Sequence, residues 1–125
     1  MQTNSDTIVE SNPKKTGTLI AVFELVPRPN KRDALIEALR YVEEHVRMKP
    51  ECLSCGVFVG ADNTSHILYV EQWESAKGLD AHVQSGLYLR ILQAMELASE
   101  APKISFHEVS RTRSMEFIEQ LRNRR

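Results

Sequence analysis

Long apolar runs, an excess of one charge and a framework of cysteines are all missing from this sequence. No stretch approaches the ~18 consecutive apolar residues of a membrane-spanning helix. Sixteen Lys and Arg stand against seventeen Asp and Glu, −1 with neutral histidines. That balance excludes a polybasic role on nucleic acid or a membrane surface for the chain as a whole. Two cysteines cannot build a disulfide scaffold, and the opening residues lack the basic-then-apolar pattern of a secretory signal, so the expected setting is the reducing cytoplasm. G-x-G-x-x-G, a P-loop and H-E-x-x-H are all absent, which removes the direct cofactor and zinc readings. What is present, 42% hydrophobic and 26% charged residues over 125 positions, suits one folded domain with one core and rules out disorder throughout.

Residues 1–16 are polar and end in Asn-Pro-Lys-Lys; they read as a mobile arm with a short extended piece at Thr7–Val9. The run TLIAVFELV at 18–26 is β-branched and aromatic, hence a strand, and its continuous apolar character predicts burial on both faces. Asn30 is the expected N-cap of a helix whose inward stripe is Leu35, Leu39, Val42 and Val46, spaced 4, 3 and 4. Glu37, Arg40, Glu43, Glu44 and Arg47 fall mostly outside that stripe, and Pro50 is the expected stop. Cys52–Gly60 and His66–Trp73 read as a hairpin around the turn chemistry of Ala61–Thr64. Ser75 caps a short helix reaching about His82, and a second helix follows Ser85-Gly86 with Tyr88, Ile91, Leu92 and Met95 inward. A last strand, KISFHEV, follows Pro102.

The order β-α-β-β-α-β predicts an α+β, ferredoxin-like antiparallel sheet with helices on one face. Its bare second face calls for a cover, and a second copy of the chain is the simplest one. Residues 17–110 form the expected domain. Residues 111–125 carry five arginines and two glutamates, with Met115, Ile118 and Leu121 every third residue; they predict an extra basic C-terminal helix that packs on a partner subunit. Sparse aromatic interleaving speaks against nucleic-acid binding.

Three groups carry possible chemistry. Cys52 and Cys55 have C-x-x-C spacing but enter a strand, whose period of two sends them to opposite faces. With no second ligand pair, they read as structural thiols, and no metal site is expected. On the third strand Ile67, Tyr69, Glu71 and Trp73 share one face, mixing a phenol, a carboxylate and an indole N–H; the structural alternative is a core anchor beside a paired carboxylate. His82 shares a face with Leu79 and Val83. An inward imidazole needs a partner or a ligand cavity, and it transfers protons near neutral pH. His45, His66 and His107 read as structural or exposed.

The run Tyr69-Val70-Glu71-Gln72-Trp73-Glu74-Ser75, followed by Leu79-Asp80-Ala81-His82-Val83-Gln84-Ser85, resembles the E-x-W-x-S … A-H-x-x-S stretch of the antibiotic biosynthesis monooxygenase family. Pro50-Glu51-Cys52 resembles that family's P-G-C, with Glu51 where glycine is usual. The resemblance implies a dimeric α+β barrel, a homodimer whose sheets pack through their bare faces, with a pocket between sheet and helices in each subunit. It implies Trp73 and His82 as catalytic candidates; Tyr69, Glu71, Phe23, Tyr88 and Leu92 join them as substrate-binding candidates. Haem-degrading members carry tryptophan at the position of His82 and a haem-ligating histidine at that of Leu92, so this chain lacks the axial ligand. Polyketide-phenol oxygenases carry tyrosine where Leu79 stands. The quinol-oxygenase-like branch fits best, which implies a cofactor-independent monooxygenase acting with O₂ on a small phenol, quinol or enolisable carbonyl compound. The alternatives are a non-catalytic dimeric module for a small ligand or protein partner, and a proton-transfer isomerase on the same scaffold.

Overall fold

Period-two alternation builds the sheet. Leu19, Ala21, Phe23 and Leu25 are buried on one side of β1 (Leu19–Leu25), and Ile67, Tyr69, Glu71 and Trp73 on the same side of β3 (Ile67–Trp73). A computed structural model describes residues 17–61 and 66–123. The arm expected over residues 1–16, most of the turn expected at 61–64 and the last two arginines lie outside them. Between the strands named so far come α1 (Arg32–Val46) and β2 (Cys52–Val59); α2 (Ala76–Val83), α3 (Tyr88–Met95), β4 (Lys103–Glu108) and α4 (Met115–Arg122) follow. The sheet order is β2-β3-β1-β4, with every pairing antiparallel. This is the expected ferredoxin-like arrangement.

The helices cover one face. Leu35, Leu39, Val42 and Val46 of α1 are buried as their spacing predicts, and Tyr88, Ile91 and Ala94 of α3 pack beside them. The other face of β1 is not buried as expected. Ile20 and Val22, like Leu68 and Val70 of β3, stay half-buried, and Phe58 of β2 is exposed. The apolar run thus marks a strand with one face in the core and a second apolar face left uncovered by its own chain.

Four local expectations change. Asn30 does not cap α1: it takes φ 70°, and the helix begins after Lys31 with no side-chain cap. Asparagine tolerates that left-handed conformation, which turns the chain after Pro29. The helix also ends at Val46, with turns at 47–51 before β2 rather than a run to Pro50. Glu43 is buried, not solvated: Arg47 donates to it at 2.9 Å, and Arg40 lies 3.8 Å away. The same Arg47 donates from Nε to the Cys55 carbonyl at 3.0 Å, which ties the end of α1 to β2. Finally, a bulge between Cys52 and Ser54 shifts the register, so Cys52 stands opposite Trp73 and Cys55 opposite Glu71. The inserted residue puts both cysteines on the helix-facing side, where strict alternation would separate them.

The C-terminal helix forms as its spacing predicts, with Met115, Phe117, Ile118 and Leu121 all exposed. Ile104 and Phe106 of β4 are also exposed, although they stand opposite the buried Phe23 and Ala21; the helix layer does not reach this edge. Leu39 lies at the opposite extreme, 1% exposed in the middle of α1. Leu39→Ala is expected to cost about 2–5 kcal/mol. Urea unfolding reads this as a lower midpoint with an unchanged slope.

Candidate active site

The site begins with three alternate residues of β3. Tyr69, Glu71 and Trp73 project to the same side by strand geometry, and none is more than 1% exposed. Tyr69 donates its hydroxyl to Glu71 Oε2 at 2.6 Å, and Trp73 donates Nε1–H to Oε1 at 2.9 Å. The third donor comes from α2. Ser75 caps this helix by accepting the Gly78 N–H at 3.3 Å. The cap sets the phase of the helix so that Leu79 and His82 turn inward. His82 Nε2 lies 2.9 Å from Glu71 Oε2, with both side chains fully buried. Behind Tyr69, the Cys55 thiol donates to the phenolic oxygen at 3.3 Å.

These contacts fix the charges. Burial alone would raise the Glu71 pKa, but the hydrogen bond from His82, followed by those of Tyr69 and Trp73, outweighs it and holds the carboxyl below its ordinary value. Glu71 is therefore a buried carboxylate. The Tyr69 hydroxyl is pushed up by burial and then by the Glu71 charge, so it remains a donor. Burial pushes the Cys55 thiol up to about 12, and the Cys52 thiol is raised for the same first reason. Neither is a reactive thiolate.

His82 has one nitrogen left over. Nδ1 is buried and has no hydrogen-bond partner among the described residues. A doubly protonated ring would bury an orphan N–H; the tautomer with the proton on Nε2, facing Glu71, leaves only a lone pair on Nδ1. The second arrangement is the cheaper one. Trp73 stacks on the imidazole with centroids 4.9 Å apart and planes at 29°, and Tyr88 stands edge-on at 5.1 Å. A 220 Å³ pocket adjoins this cluster, with Trp73, His82, Ala81, Pro50, Lys49 and Glu51 in its wall.

The strand and helix periods thus bring Tyr69, Glu71, Trp73, His82 and Tyr88 together. Phe23 is buried one shell away, its ring edge-on to Tyr69 at 5.6 Å. Leu92 does not join them. It is 43% exposed, because the inward face of α3 runs Tyr88, Ile91, Ala94. Val83 likewise faces outward. His45, His66 and His107 are exposed, as expected. Two participants escaped the sequence reading. Cys55 was hidden by the bulge, whereas Glu51 was signalled by standing where the resembled family has glycine. Among the described residues no group of three His, Cys, Asp or Glu side chains is placed to hold a metal ion.

The architecture defines a ferredoxin-like α+β domain that holds a buried E-x-W … H cluster. Residues 18–94 match the antibiotic biosynthesis monooxygenase family, and the chain belongs to that family. Solved structures agree on the fold. Rv0793 from Mycobacterium tuberculosis superposes with a TM-score of 0.70 at 24% identity, covering 78% of this chain and 99% of its own. A conserved protein from Methanosarcina mazei gives 0.68 at 18% identity, covering 75% and 94%. A structure named as an antibiotic biosynthesis monooxygenase gives 0.64 at 20%, covering 73% and 97%. A comparison with curated proteins returns no match.

Because the Glu71 pKa is lowered on folding, its stabilising contribution is present above the unfolded value and is lost as pH falls through the folded one. The thermal midpoint is therefore expected to drop on acidification from pH 7 to pH 3, and to drop less in Glu71→Gln. That variant starts lower at pH 7, because it leaves donors around a site built for a charge. Calorimetry across that range checks both the slope and the offset.

Proposed function

We propose that this chain is a cofactor-independent monooxygenase in which His82 is the general base for a small phenol, quinol or enolisable carbonyl compound. The observation that carries the reading is the unpartnered Nδ1 of a buried histidine whose other nitrogen is held by a carboxylate. Glu71 orients the ring and stabilises the imidazolium formed when Nδ1 accepts the substrate hydroxyl proton. The resulting phenolate is electron-rich enough to pass one electron to O₂. Recombination then forms a carbon–oxygen bond at the ring, and loss of water from the peroxide gives the quinone. One oxygen atom ends in the product and one in water. The buried Trp73 gives the pocket an apolar wall beside the imidazole, which suits this chemistry.

The geometry narrows the source of oxyanion stabilisation. Trp73 N–H and Tyr69 O–H are committed to Glu71, so they support the base rather than the substrate. Tyr88, edge-on to His82, is the remaining aromatic hydroxyl beside it, and burial raises its pKa and keeps it protonated. Two further observations bear on assembly. The uncovered apolar face at Ile20, Val22, Leu68, Val70 and Phe58 suits a second copy of the chain, and the exposed apolar edge of α4 adds to it. No helix among the described residues is long and apolar enough to cross a membrane.

Oxygen uptake with a panel of small quinols tests the reaction. His82→Ala is expected to lower kcat/KM by about 10²–10⁴-fold. Its size-exclusion profile should match that of the wild type. Unchanged uptake in the variant removes His82 from the mechanism. Turnover of an enolisable ketone without oxygen uptake assigns the isomerase reading, and binding without turnover of any compound assigns the binding module.

A further inference from the structure

We propose that Glu51 is the specificity-determining residue of the Trp73–His82 pocket, a partition that confines it to one- or two-ring phenols. This rests on the reading of that pocket as the substrate site. Two hollows meet at Glu51 and share no other wall residue. On one side lies the 220 Å³ pocket beside His82. On the other is an 840 Å³ cleft bordered by Thr18, Glu74, Ser75 and Arg111.

The side chain is seated rather than loose. Ser75 donates its hydroxyl to Glu51 Oε1 while the same oxygen caps α2. The Glu51 carbonyl accepts the Glu74 N–H at 2.9 Å, fixing the backbone against the end of β3. Gly78 leaves the space that the side chain occupies: a Cβ there would stand 2.5 Å from Glu51 Oε1 and 2.8 Å from its Cβ. The carboxylate also lies across the first turn of α2, where the helix dipole favours negative charge.

Size follows from volume. At a packing density of about 0.74, a hollow of 220 Å³ holds roughly 160 Å³ of ligand, a single ring or two fused rings. A third fused ring is buried only by crossing the position of Glu51; through the mouth, between the exposed Pro50, Lys77 and Ala81, it would stand in water. Removing the carboxylate joins the hollows, and the enlarged space admits such a ligand without altering the wall at His82.

The sole tryptophan of the chain lies in the pocket wall, so its fluorescence reports occupancy directly. Wild type, Glu51→Ala and Glu51→Gln are titrated with 1-naphthol and with 1,8-dihydroxyanthraquinone. Glu51→Ala is expected to bind the tricyclic compound about tenfold tighter or more than wild type, while 1-naphthol binding stays within about threefold. Glu51→Gln, which keeps the side-chain volume, is expected to behave as wild type. Equal tricyclic affinity in wild type and Glu51→Ala overturns the proposal, as does a Glu51→Gln variant that opens the site as fully as alanine. No quenching by 1-naphthol in any of the three overturns it together with the pocket reading. Normal binding with oxygen uptake insensitive to His82→Ala defeats the base assignment alone and leaves the partition standing.

Discussion

A carboxylate with no access to water governs this structure. Removing an ion of that size from solvent costs several kcal/mol unless its oxygens are fully engaged. Glu71 meets the requirement with three donors, two from its own strand neighbours at i−2 and i+2 and one from α2. The strand donors come with β geometry. The third does not, so the helix must be capped, phased and held against the sheet for the charge to be tolerated. Ser75, Gly78 and the end of β3 can be read as the means of that placement.

The same network explains how firmly the histidine is held. An imidazole between a carboxylate and an indole has its tautomer and ring plane fixed before any ligand arrives. Tyr69 and Trp73, which look like substrate-facing groups on sequence alone, spend their hydrogens on Glu71. They therefore act by holding the carboxylate that holds the imidazole. The thiol of Cys55 extends the chain of donors one step further from the pocket.

Much of this was legible beforehand. The β-branched run of β1, the alternation in β3 and the 4-3-4 spacing of α1 gave the element order and the inward stripe, because a packed core imposes those patterns on any sequence that forms it; that β1 buries only one face was not among them. The clustering of Tyr69, Glu71 and Trp73 followed from period two, and the inward turn of His82 from its helical spacing to Leu79, although Val83, read onto the same face, turns outward. What failed were the places where one residue breaks the period or a partner alters solvation. The bulge after Cys52 cannot be seen in a string of letters, so Cys55 was assigned no part in the site. Glu43 looked solvated because it was read only for its distance from the apolar stripe, although Arg40 and Arg47 stand three and four residues from it. Leu92 looked inward because a short helix offers too few turns to tell adjacent apolar positions apart. Which residue meets which across the two hollows required coordinates.

The irregularity in β2 has another outcome. As a strand at the sheet margin, β2 presents amide and carbonyl groups that a neighbouring chain could pair with, and its Leu53, Phe58 and Val59 are exposed. A regular strand with such side chains invites edge-to-edge stacking into insoluble fibres. The extra residue between Cys52 and Ser54 kinks the strand and breaks the repeat of available donors at one end. The kink that turns two thiols toward the helices thus also shortens the template for runaway self-association.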